Sequence, residues 1–190
     1  MTDQKPKPAR GRPRTITRDR IAHAGIEIGL PNLTFIGVAN ALGVSQVALY
    51  KRVDSLEDLR TLVAEEAFLR WPLPDPAADT DLTEYMHRFS LSIWHLVYEH
   101  SGIAPYLLRR DWITEPMMQR TYDHQRRVAD RFGLTFDQSN RVFFTIAYHC
   151  IAVADASRAE TPSSADAEQL HGFGIEAMIA GVMALIGPQS

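Results

Sequence analysis

Val142, Phe143, Ile146, Ala147, Cys150, Ile151 and Ala154 advance along the chain in alternating steps of one and three. That spacing puts every one of them on a broad stripe of an α-helix and scatters them over both faces of a strand. The same three- and four-residue rhythm recurs throughout. No convincing run alternates with period two, no hairpin dipeptide separates apolar runs, and no internal repeat is present. The sequence therefore predicts an all-α fold.

Capping residues place the first elements. Thr17 opens a helix that buries Ile21, Ala24 or Gly25, and Ile28, and Gly29-Leu30-Pro31-Asn32 stops it. Thr34 caps a short helix containing Val38 and Ala41. Gly43 then closes it, since only glycine enters the left-handed region without a Cβ penalty. Ser45 caps a third helix from Gln46 to about Arg52. Ser55 caps a fourth, with Asp58 where a capping-box acid stands, running to about Arg70. Pro72, Pro74 and Pro76 end it, because each removes a donor and constrains the residue before it. The domain junction falls there. Five further helices are expected at roughly 81–100, 102–110, 115–132, 137–158 and 165–187. Three parts result: a basic arm over 1–16, a helix-turn-helix unit over 17–70, and a helical bundle over 80–190.

Charge separates these parts. The first 60 residues hold ten lysines and arginines against six acids, whereas the remainder holds ten against seventeen. The net −3 thus conceals a positive end fit for a polyanion. Ala9 to Arg20 alone carries five arginines. Unpaired guanidinium groups do not enter a core, so this arm lies outside the fold. Arg10, Arg12 and Arg14, spaced by Gly11 and Pro13, suit a narrow minor groove.

A glycine turn between two short helices is the layout of a helix-turn-helix, whose later helix enters the major groove. Ser45, Gln46, Val47 and Ala48 are small or polar enough to approach base edges. Tyr50, Lys51 and Arg52 reach for phosphates on either side, and Thr34 belongs to the same expected surface. Thr34 to Leu59, TFIGVANALGVSQVALYKRVDSLEDL, resembles the DNA-binding domain of the TetR family of transcriptional regulators. The likeness rests on Val-Ala of the second helix, the Gly-Val-Ser turn, Ala-Leu-Tyr of the third helix and Ser-Leu-Glu-Asp-Leu at the start of the fourth. A weaker match is Phe173-Gly174-Ile175-Glu176 with the later Gly181, similar to the closing helix of many members. Three departures stand out. The connection between the first two helices is about one turn short. Ile36 occupies a position where members often carry an arginine, and Leu56 one where many carry a lysine. The arm compensates in this reading, and its deletion should weaken operator binding and flatten the salt dependence.

The resemblance implies a homodimer on a palindromic operator, released by a small-molecule effector, with repression as the default mode. The last two helices are apolar on more than one face, which calls for a two-fold four-helix interface. Its expected members are Phe143, Ala147, Ile151, Ala154, Phe173, Ala177, Ala180 and Gly181. An effector cavity is expected to use Trp94, Tyr98, Trp112, Phe144 and Tyr148 as walls. His124, with His95, His149 and Arg109, supplies candidate polar groups.

Other functions fit less well. His87, His95, Glu99 and His100 do not form a Glu-x-x-His or His-Glu-x-x-His motif, so no metal or cofactor is expected. Cys150 sits in an apolar stretch unsuited to a nucleophile. A helical adaptor or a small-molecule-binding enzyme remains the alternative, but leaves the arm and the third helix without a role. A single cysteine and the lack of a long apolar run point to a cytoplasmic protein without a membrane partner.

Overall fold

The structure is a computed structural model that describes residues 16–159 and 164–186. Among the described residues nine α-helices form the regular elements, together with three single turns of 3-10 helix. The helices are α1 (Arg18–Ile28), α2 (Phe35–Leu42), α3 (Gln46–Tyr50), α4 (Leu56–Arg70), α5 (Leu82–Glu99), α6 (Ala104–Leu108), α7 (Glu115–Phe132), α8 (Phe136–Ala159) and α9 (Ser164–Ile186).

The four expected caps form. Oγ1 of Thr17 accepts from the Arg20 N–H, Oγ1 of Thr34 from Gly37, Oγ of Ser45 from Ala48 and Oγ of Ser55 from Asp58, at 3.0–3.3 Å. Asp58 accepts the Ser55 hydroxyl at 2.7 Å, so the acid anchors the capping side chain itself. Gly43 takes φ 67° and ψ 37°, the left-handed geometry its position demands. The third helix ends at Tyr50, two residues earlier than expected, and the sixth is shorter than its forecast. Leu33 and Thr34 follow a 3-10 turn at Leu30–Asn32, which spans the abbreviated connection from α1.

Helices α1 to α4 close on Ile21, Ala22, Val38, Leu49, Leu59 and Val63, all essentially inaccessible to solvent. The α1–α4 crossing is tight because Gly25 faces Val63; a methyl built on Gly25 would lie 2.2 Å from Cγ2 of that valine. Helices α5 and α8 form the centre of the second half, with α9 packed on both and α7 on α8. Met86, Phe89, Ile146 and Ala154 fill that core.

The proline-rich segment after α4 is docked. Trp71 is buried, and its indole N–H donates to the carbonyl and hydroxyl of Ser92 on α5. Asp79, 4% exposed, receives the Arg88 guanidinium from α5, while Arg131 of α7 donates to its carbonyl oxygen. Prolines end the helix as expected, yet the chain beyond them is pinned by tryptophan and by a buried carboxylate held in an ion pair. Helix α4 therefore touches α1 on one side and α6 and α7 on the other.

Candidate nucleic-acid interface and ligand cavity

Leu49 anchors α3, being its single fully buried residue. Around that anchor Ser45, Gln46, Val47 and Tyr50 are exposed, and Ala48 is half-buried. Val47 is 68% exposed. A β-branched apolar side chain left in water by an otherwise well-packed unit has no core role; its methyl groups suit contact with a thymine C5-methyl. Gln46 beside it offers the amide that pairs with adenine. Tyr50 stacks on Phe35 of α2, ring centroids 4.0 Å apart and 13° from parallel, which fixes the ring while half of it stays accessible. Lys51 and Arg52 follow, exposed and with no ion-pair partner among the described residues.

Thr34 and Ser45 use an oxygen lone pair to cap their helices, so each hydroxyl hydrogen remains free to donate to a phosphate. Both stand at helix starts on the exposed side. Ile36 is also exposed, whereas Leu56 turns partly inward against the core. Arg10, Arg12 and Arg14 lie outside the described residues.

Between α4, α5, α7 and α8 opens a cavity of about 560 Å3. Phe144 and Tyr148 line it, as the sequence suggested. The other four forecast ligand residues do not. Trp94 packs on the His171 ring of α9 at 4.5 Å, and Tyr98, four residues on, is 59% exposed. On α5 it is Ile93 and Leu96 that face the cavity, so Trp94 and Tyr98 sit on a neighbouring phase of the helix. Trp112 stacks on Tyr106 at 4.9 Å, beneath the Arg109 guanidinium.

His124 belongs to the core. The Arg127 guanidinium reaches its Nδ1 at 3.2 Å and has only protons to give, so Nδ1 accepts; Nε2–H then donates to the Tyr85 hydroxyl oxygen at 2.5 Å. Burial first, then the nearby arginines, pull its pKa down to about 4. It is a neutral, packed imidazole.

Four expected interface residues are also placed differently. Phe143, Ala147 and Ile151 turn into the cavity wall, and Ala154 is fully buried within the chain. The broad stripe of α8 is satisfied inside one subunit, because α5, α7 and α9 all pack on that helix. Phe173, Ala177, Ala180 and Gly181 of α9 do face outward, Phe173 at 76% exposure, while Ile175 and Ile179 face inward. An exposed strip of aromatic, alanine and glycine residues on a well-packed helix offers a close-approach surface for another helix.

The cavity residues that sequence reasoning missed are chiefly on α7 and at element ends: Arg110, Met117, Met118, Thr121, Arg126 and Asn140. Ile113, Met117 and Thr121 follow a four-residue spacing, but that signal does not separate a cavity wall from solid core. Cys150 is fully buried, and burial pushes its thiol up to about 12, which removes it as a nucleophile. Among the described residues no three His, Cys, Asp or Glu side chains come together as a metal set.

No protein-family sequence model and no curated protein matches the chain. Solved structures do. A TetR variant from Acinetobacter baumannii AYE in complex with minocycline superposes with a TM-score of 0.73 at 20% identity, over 92% of this chain and 100% of that one. Apo ActR from Streptomyces coelicolor gives 0.71 at 17% identity, over 92% and 100%. ActR bound to actinorhodin gives 0.69 at 17% identity, over 93% and 100%. The chain has the TetR-family fold. Within the TetR fold, α2 and α3 form the helix-turn-helix, and the cavity lies in the helical bundle beyond α4. No helix among the described residues is long and apolar enough to cross a membrane.

Proposed function

We propose that the chain is a TetR-family transcriptional regulator, by default a repressor, that binds palindromic duplex DNA as a homodimer in the cytoplasm and lets go when a small molecule fills the cavity. The observation that carries this reading is the exposed Ser45–Tyr50 surface, held rigid by Leu49 and by the Tyr50–Phe35 stack. Gln46 and Val47 read base edges. The Thr34 and Ser45 hydroxyls, Tyr50, Lys51 and Arg52 meet phosphates. Arg10, Arg12 and Arg14 extend the surface into the adjacent minor groove and offset the arginine and lysine that Ile36 and Leu56 replace.

Phe173, Ala177, Ala180 and Gly181 form the subunit contact, which sets two copies of α3 at a fixed spacing along the duplex. The cavity is the effector site. Its wall includes Phe68 at the end of α4 and Trp71 just beyond, so a ligand that prefers a displaced α4 favours wrongly spaced reading helices. DNA affinity then falls by the ratio of the ligand's affinities for the two arrangements. Catalysis has no part in this mechanism.

Selection of bound fragments from random duplex DNA tests the proposal. A palindrome with half-sites one helical turn apart, or a multiple, is expected; failure to enrich any sequence would refute it. On the selected operator, deleting residues 1–14 should weaken binding. The plot of log affinity against log salt should also become shallower, by about 0.9 for each phosphate the arm no longer neutralises.

A further inference from the structure

We infer that the cavity takes a flat, multi-ring aromatic acid as its anion, with the ring system between aromatic side chains and the acid group at Arg110 and Arg126. The inference deepens the effector-site reading and depends on it only for what the ligand does to DNA.

The charge along the cavity is of one sign. Among the described residues Arg110 and Arg126 are the only charged side chains in the lining, and no carboxylate opposes them there. Arg110 has no hydrogen-bond or ion-pair partner for its side chain among the described residues. Arg126 shares Asp123 at 3.2 Å in an open, hydrated pair and lies 5.9 Å from the Phe136 ring. Both guanidinium groups are exposed, so each keeps its water until a ligand arrives. A carboxylate or sulfonate meets two planar forks, one of them unclaimed.

Aromatic rings set the shape. Phe143 and Phe144 meet edge-on at 5.4 Å, Phe144 and Tyr148 lie nearly parallel at 5.5 Å, and Tyr122 meets Phe136 edge-on at 6.1 Å. Tyr122, Phe136 and Tyr148 each remain more than 40% exposed although they line the cavity. Ring faces left uncovered on three side chains around one hollow suit a planar π-system better than a branched aliphatic chain. Deeper in the wall, Oδ1 of Asn140 is buried without a partner. A buried acceptor of that kind calls for a donor, which a phenolic hydroxyl on the ligand provides.

The test compares 9-anthracenecarboxylate with its uncharged amide on the full-length protein, by calorimetry without DNA. The acid should bind at least about tenfold more tightly, with an advantage that shrinks as salt rises. That advantage should vanish in Arg110→Gln/Arg126→Gln and persist in part in Arg110→Lys/Arg126→Lys, each variant first shown to melt cooperatively. Equal binding of the two probes, an acid preference that survives the glutamine pair, or no binding of either would overturn the inference. Because DNA is absent from the measurement, these outcomes leave operator recognition untouched. Conversely, loss of the operator reading would leave the probe result standing.

Discussion

His124 shows how a single side chain ties the fold to pH. Its imidazole is buried, accepts a hydrogen bond from Arg127 at one nitrogen and donates one to Tyr85 at the other, and titrates near 4 in the folded chain. In the unfolded chain it returns to its ordinary value near 6.5. The unfolded state therefore binds more protons between those values, and stability falls as pH is lowered through about 6.5 towards 4. The loss from this residue is on the order of 3 kcal/mol. Half-buried His149 and His171, also shifted downward by burial, act in the same direction. Urea denaturation at pH 7, 5.5 and 4 should show the decline, and His124→Asn should make it shallower. A slope unaltered by that substitution would assign the pH response to other groups. Residue identity alone suggested a polar ligand group here; the three-dimensional partners make it a core residue.

At the scale of elements, α4 is the member that both halves share, and two contacts hold it. The first is the Gly25–Val63 crossing with α1. Val63 is β-branched and stiff in a helix, so a new methyl at position 25 displaces the backbone rather than a flexible tip. Gly25→Ala should destabilise by about 1–3 kcal/mol despite the better helix propensity of alanine, as thermal or urea melts would register. The second contact is Arg120 of α7. Its guanidinium donates to the carbonyl oxygens of Phe68, Leu69 and Trp71, the orphan acceptors at the end of α4. Two residues that flank the Arg120 position by one helical turn or less, Met117 and Thr121, line the cavity. Arg120 thereby links the cavity wall to the helix that carries the DNA-binding unit. In Arg120→Met, operator binding should persist, while an effector that releases the native protein should need concentrations well above those at which it binds. Parallel binding isotherms and gel-shift titrations separate the two quantities; release that still tracks occupancy would discard the linkage. The caps of α1 to α4 were legible because each depends on residues three apart, whereas Arg120 and Trp71 bond to groups 21 to 52 residues away.

For the whole molecule, the exposed strip of α9 decides the assembly. Phe173 and Ala177 are accessible in the single chain, so a charge placed there leaves the subunit core intact. Ala177→Glu should yield a species of 21.4 kDa by light scattering where the native protein gives twice that mass. Its operator affinity should drop on the order of 100-fold, because one reading helix acts without the second. A dimer that survives would move the interface to another face. The same scale explains the divided fate of the expected interface residues. Both long helices read as apolar all round, but α8 is enclosed by three neighbours and α9 is left with one side open.

Helical periodicity, caps, the Gly43 turn and the charge separation between the two halves are properties of neighbouring residues, and the sequence by itself determined them. They were enough for the all-α class, the position of the reading helix and the likeness to a regulator family. Which face of α5, α7 or α8 meets the cavity was decided only by tertiary packing. A helix fixes which residues share a face, but the partner for that face comes from distant segments, and a rotation of about 100° per residue separates a wall from a core.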